Sequence, residues 1–233
     1  MSVLSHTVRR YARDVNELHH EYLVDPLLAE RFERFLQWQA AYLLQQHGDF
    51  AARAEYTDAV EFVVNDLTGF DVSDRDRDLA RIVPLMSRVL PDSVLATLAG
   101  ALELNAGALA MNLAICRELY REGDVHAFSE RRYAAAVRVA TDRDRARELV
   151  LAIRGVGEDL ERIVELPMIG KTLSSMRLPA ELMGFGALHR FLAKGFSTFR
   201  DLPDTPRFLD ELEERMLAIY HRLYDASLDE LAD

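Results

Sequence analysis

Residues 94–115 read VLATLAGALELNAGALAMNLAI, an almost wholly apolar run of 22 positions interrupted by Glu103, Asn105 and Asn112. A helix of about 20 apolar residues is long enough to cross a bilayer. An acid at mid-membrane, however, costs about 2.5 to 3.5 kcal/mol on insertion scales, and the two asparagines add to that. The run therefore predicts the central core helix of a soluble helical protein, with no membrane span. At 100° per residue it separates into two faces. Leu95, Leu98, Leu102, Leu109, Leu113 and Cys116 make a large apolar side, with Asn105 and Asn112 at its edge. Ala96, Gly100, Glu103, Gly107, Ala110 and Ala114 make a small one. Glu103 is then either grazed by solvent or covered by a closely packed helix. In the second case it is a buried acid of raised pKa and a ligand-site candidate.

Outward from this run the same helical period continues. Val8, Tyr11, Val15, Leu18 and Tyr22 form one stripe. Asp25-Pro26 has the form of an N-cap followed by proline in the first turn of a helix that His47-Gly48 ends. YTDAVEFVVNDL carries a third helix that stops before Gly69, and Ser73 caps a segment with Leu79, Ile82, Val83 and Met86 on one face and Pro84 as a kink. Glu122-Gly123-Asp124 breaks the central helix. Helices follow over about 127–140 and 142–165, the second containing Gly155 and Gly157, which mark a kink or a close approach by another backbone. Pro167, Gly170, Pro179, Gly184 and Gly186 predict a poorly helical region of short turns, and the stretches 185–199 and 208–223 are amphipathic again. No segment alternates strictly between hairpin turns. The expected fold is all-α, a single-domain bundle of roughly eight to ten helices over 1–233, with 122–126 the place for any subdivision.

Phe62-Val63-Val64-Asn65-Asp66-Leu67-Thr68-Gly69 resembles the motif Phe-Phe-Leu-Glu-Glu-Leu-Tyr-Gly that names a family of bacterial proteins. Phe62, Leu67 and Gly69 match it identically and Asp66 conservatively. IVPLMSRVLP and PMIGKTLSSMRLPAELMGFGALHRFLAKGF are also similar to segments of that family, so the resemblance covers about 55–200. It implies a bacterial context and an uncharacterised family, with no catalytic residues to carry over.

Composition removes several classes of function. The net charge is −11, from 39 Asp and Glu against 28 Lys and Arg, a field that repels phosphate backbones. Nucleic acid is therefore not an expected partner. The single cysteine, Cys116, forbids an intramolecular disulfide. The first 22 residues lack the apolar run of a secretory signal, so the expected location is cytoplasmic. There is no GxSxG elbow, Walker A loop or GxGxxG, and Gly155-Val156-Gly157 has no preceding strand. A binding role is favoured over catalysis.

Metal binding has one half-motif, Glu17-Leu18-His19-His20, with Glu17 and His20 on one helical face; a solvated pair explains the spacing equally well. His189, one turn from Phe185 and from Leu192, is the candidate axial ligand for a haem, or a hydrogen-bonded boundary histidine. Arg177 is the candidate clamp for a carboxylate, or the partner of Glu181. The expected ligand-binding set is Arg177, His189, Glu103, Met176 and Phe185, for a small apolar or acidic ligand held between helices. The apolar stripes of the terminal helices additionally suggest a homodimer. A helical enzyme or sensor using haem or a metal, and an interaction module without a ligand, are the competing readings.

Overall fold

The computed structural model describes residues 3–67, 78, 81–82, 92–125 and 127–232. Among them the chain forms ten α-helices, a π-helical turn and a 3₁₀ turn, with no strand. The fold is an all-α multi-helix bundle. Of the sequence expectations, Gly69, Ser73, Leu79, Val83, Pro84 and Met86 lie outside the described residues.

Helix α1 (Val3–Leu23) buries Val8, Ala12, Val15, His19 and Tyr22, so the stripe runs through His19 where Leu18 was expected. The His19 ring reaches the Tyr22 hydroxyl at 2.8 Å, which makes its burial tolerable. Helix α2 (Pro26–Gln46) starts as the sequence predicts: the Asp25 carboxylate accepts the amides of Leu27 and Leu28, and Pro26 supplies the first turn. It ends at His47. The third helix of the sequence reading is two elements after a short α3 (Gly48–Ala51): α4 (Thr57–Glu61) runs directly into a π-helical turn, Phe62–Leu67. The motif residues in that turn hold a later helix. The Phe62 ring fills the notch left by Gly195, where a Cβ would lie 2.7 Å from Phe62 Cζ, and Asp66 pairs with Lys194 at 2.5 Å.

Helix α5 (Asp92–Leu119) is the central element. By length and apolar content it passes for a membrane span, yet α1, α6 (Glu130–Ala140) and α7 (Arg143–Val164) all pack on it. Its large apolar side is covered, whereas on the small side Ala96, Glu103 and Ala110 are exposed and only Gly107 is buried. Leu95, Leu102, Leu109, Leu113 and Cys116 are buried, and so are Leu104, Met111 and Ile115. On the small face α7 crosses at Gly107, where a Cβ would meet Leu149 Cδ2 and Arg145 Nη2 at 2.8 Å. A side chain at 107 would push Arg145 and Leu149 aside.

Helix α7 continues unbroken through Gly155 and Gly157. The close approach predicted there is real at Gly157 but comes from a side chain, Leu209 of α10 (Thr205–Asp225), at 2.4 Å from the Cβ position. The region expected as short turns is instead one 16-residue helix, α8 (Pro167–Leu182). Pro167 and Pro179 do not break it: Pro167 sits in the first turn, where its missing N–H would have had no partner, and Pro179 stands inside the helix three residues before its end. Gly184, with φ of +76°, then ends it in a Schellman closure, the Phe185 amide donating to Ala180 O at 2.7 Å and that of Gly184 to Glu181 O. Helix α9 (Gly186–Asp201) folds back on α8, with Phe196 seated over Gly170. The main buried cluster draws on residues from Val15 in α1 to Leu231 in the C-terminal tail.

Candidate functional site

Four of the five expected ligand-binding residues lie on the α8–α9 hairpin. Arg177 is exposed and its Nε is 3.6 Å from Glu181 Oε1 one turn on. Met176 is exposed too. His189, half-buried, donates from Nε2 to the carbonyl of Leu173 at 2.8 Å, pinning α9 to α8 and fixing its tautomer. Phe185 precedes α9 and lies under the Arg81 guanidinium, 5.0 Å from the ring centre. The fifth residue, Glu103, is on α5 and exposed. It accepts the hydroxyl of Tyr11, whose ionisation that bond pushes upward. Glu17 and His20 are exposed on α1, with Glu17 3.5 Å from Arg13. Among the described residues no group of three or more His, Cys, Asp or Glu is placed to hold a metal ion.

The hairpin's distinguishing feature is its outer surface. Six of the thirteen large apolar side chains exposed among the described residues fall between Leu166 and Met183: Leu166, Met168, Met176, Leu178, Leu182 and Met183. Met168, Leu178 and Leu182 are 75%, 63% and 79% exposed. The opposite side of α8, with Ala180 and Gly170, is the one turned to its neighbours. Along the outer ridge Met168, Lys171, Ser175, Leu178 and Leu182 are all exposed and recur at alternating intervals of three and four residues, the spacing of a helix-pairing seam. The hydroxyls of Thr172, Ser174 and Ser175 bond back to helix carbonyls at 2.9 Å, so these three side chains turn to their own backbone.

The hairpin is also locally basic. Between residues 167 and 200 stand Lys171, Arg177, Arg190, Lys194 and Arg200, against the single acid Glu181. In a chain of net charge −11 that is a local excess of positive charge. The amide of Leu188, in the first turn of α9, is held by the buried carboxylate of Asp78 at 3.3 Å, an acid at a helix N-terminus where the dipole favours it.

A second polar constellation lies inside the bundle. Gln39 donates to Asn112 Oδ1 at 3.0 Å and to Tyr133 Oη at 2.9 Å. Tyr42 donates to Glu130 at 3.0 Å, and Arg222 grips the same carboxylate at both oxygens. Burial pushes the hydroxyls of Tyr42 and Tyr133 well up, so both stay protonated, while Arg222 holds Glu130 below the usual carboxylate range. These groups satisfy one another and tie α2, α5, α6 and α10 together, which is structural work. The network gives Asn112 its partner; Asn105 is buried as well.

From the sequence, 167–190 stands out as a polar, glycine-rich stretch, and of its apolar side chains Met176 and Phe185 are the ones expected to line a ligand site. Met168, Leu178, Leu182 and Met183 were missed as a surface. The signal was there in the seam spacing of Met168, Ser175 and Leu182, hidden by the prolines and glycines that argued against a continuous helix. The model of one protein family, described as a domain of unknown function (DUF8198), matches residues 19–230. No curated protein and no solved structure matches the chain.

Proposed function

Because the chain belongs to that family, whose description assigns no activity, we propose its role from the surface the fold builds: a helical binding protein that works as a homodimer joined through α8. The ridge Met168-Lys171-Ser175-Leu178-Leu182 carries this reading. Two copies laid antiparallel about Ser175 set Met168 of one against Leu182 of the other and the Lys171 stem against Leu178, with the smallest residue at the crossing point. The seam is self-complementary under a two-fold axis, as a symmetric dimer requires. Lysine within it covers apolar surface with its stem while its ammonium stays in water.

Magnitudes set the strength. Burying Met168, Leu178 and Leu182 from each copy gains about 1.5 to 3 kcal/mol per side chain, less for the part already covered. Association costs roughly 4 to 15 kcal/mol in lost freedom. The two nearly balance, so pairing is concentration-dependent and suited to regulation. The setting of this proposal is a bacterial cytoplasm.

The test is a cysteine at the crossing point. Cys116 is buried, so Ser175→Cys adds the one accessible thiol. Mild oxidation gives a disulfide-linked dimer that Leu178→Asp with Leu182→Asp abolishes, and light scattering across a concentration series shows wild type moving from monomer to dimer. A wild type that stays monomeric at every concentration, with no cross-link, overturns the proposal.

A further inference from the structure

The chain has seven methionines. Among the described residues Met111 is buried in the core and Met216 is partly covered by it, whereas Met168, Met176 and Met183 are exposed. All three exposed ones stand on α8 or at the residue that ends it. Met168 alone belongs to the ridge through which two copies are proposed to pair, and it is the most open of the three. Leucine and methionine exchange in packed positions at little cost, because their volumes are alike. What methionine adds at this place is a thioether, whose sulfur small solutes reach.

One oxygen on that sulfur reverses its character. With hydrogen peroxide, a sulfur lone pair attacks one oxygen and the O–O bond breaks; the leaving hydroxide takes the proton of the transferred oxygen, so the products are a sulfoxide and water. The sulfur gives up two electrons and the peroxide receives them. The sulfoxide is a polar acceptor on what was an apolar side chain. In the antiparallel seam Met168 lies against Leu182 of the other copy, which has no donor to offer. Lys171, one turn on, meets the new oxygen only by drawing its ammonium out of water. Burying an acceptor unpaired is unfavourable, and the contact occurs twice in a symmetric dimer. Where pairing and its entropic cost nearly balance, that penalty decides the state.

We propose that Met168 makes pairing through α8 sensitive to oxidation: a hydroperoxide converts its thioether to the sulfoxide in the free monomer, and the oxidised chain no longer pairs. The inference rests on the α8 dimer proposed above. Pairing shields the sulfur, so the reagent acts on the dissociated chain, which a concentration-dependent dimer always supplies. Met176 and Met183 take up oxygen too, yet neither belongs to the ridge Met168-Lys171-Ser175-Leu178-Leu182, so their oxidation leaves the seam intact. A methionine sulfoxide reductase with a dithiol reverses the step, the oxygen leaving as water and the dithiol as its disulfide.

The test treats the full chain, in dilute solution, with hydrogen peroxide until peptide mass mapping shows one added oxygen on Met168, Met176 and Met183 and none on the buried Met111. Sedimentation equilibrium then gives the dimer Kd before and after. Oxidation is expected to raise Kd about tenfold or more, with helix content by circular dichroism unchanged, and reduction by the reductase to restore it. Met168→Leu should pair within about twofold of wild type and keep that Kd through peroxide treatment, although Met176 and Met183 oxidise in it as before. Met168→Gln, which places a polar group there without any reagent, should weaken pairing about tenfold on its own. A Met168 that takes up no oxygen in the monomer, a wild-type dimer whose Kd is unmoved by oxidation at Met168, or a Met168→Leu dimer that peroxide still dissociates overturns this inference and leaves the α8 pairing standing. A chain that forms no dimer before oxidation overturns the pairing and this inference together.

Discussion

Arg222 holds Glu130 at both carboxylate oxygens, Nε to Oε1 at 2.7 Å and Nη2 to Oε2 at 3.0 Å, and so locks the C-terminal helix α10 onto the first turn of α6. The two ends differ in exposure: the Glu130 side chain is 7% exposed and that of Arg222 47%. Removing one partner of a fully buried pair costs about 3 to 5 kcal/mol. With Arg222 half in water the expected loss for Arg222→Met is lower, about 2 kcal/mol at pH 7. Glu130 has its pKa lowered in the folded chain, first by the Arg222 bond. That stabilisation is present above the ordinary carboxylate pKa and fades as pH falls through the lowered value. Urea unfolding of both proteins at neutral and acid pH should show the gap between them closing at the acid end; a gap of equal size at both ends would show that the pair is not its source.

His47 makes a prediction of a different pH range. It is fully buried where α2 ends, and neither ring nitrogen has a partner. Burial first, then the nearby Arg215 charge, lowers its pKa from 6.5 to about 4. The unfolded chain therefore binds a proton between those values that the folded chain refuses. Stability is unaffected above pH 6.5 and falls from there down to about 4, by about 3 kcal/mol at 1.36 kcal/mol per unit. His47→Leu removes two unpaired polar atoms, so it should be neutral or stabilising at pH 7 and flatten the melting temperature over that window. A variant that keeps the wild-type slope would place the acid sensitivity elsewhere.

Reading these elements from sequence succeeded where a single local cause dominates. Asp25-Pro26 announced the start of α2 because capping is a contact between neighbours in the chain. The central apolar run announced its own burial. The hairpin at 167–200 resisted for a physical reason: a proline's cost depends on whether it stands in the first, middle or last turn, and that is known only once the helix ends are. Glu103 was left open between solvent and burial, since its neighbour Tyr11 is 92 positions away in the chain.

Cys116 tests burial directly. It is 0% exposed and its thiol is pushed up to about 12. A free thiol near its ordinary pKa of about 8.5 reacts readily at pH 8. Here Ellman's reagent should label the native chain only as fast as α2 and α5 part, and should titrate one thiol at once in about 6 M guanidinium. Equal rates in both conditions would contradict the packing described for α5.

Gly155 and Gly157 stand two residues apart in α7 and should respond to the same substitution with opposite sign. A Cβ on Gly155 meets nothing within 4 Å, so Gly155→Ala removes only the entropy cost of glycine in a helix and should stabilise by about 0.5 to 1 kcal/mol. A Cβ on Gly157 falls 2.4 Å from Leu209 Cδ2 and 3.0 Å from Cδ1. Leu209 is 2% exposed, so overpacking should make Gly157→Ala cost about 1 to 3 kcal/mol. Leu209→Ala costs about 2 to 5 kcal/mol by opening a cavity in the core. Combined, the two changes should be less harmful than their separate effects suggest, because the new methyl occupies space the leucine vacates. Strict additivity in that cycle would show that Leu209 does not press on Gly157, and with it that α7 and α10 are held apart by other contacts.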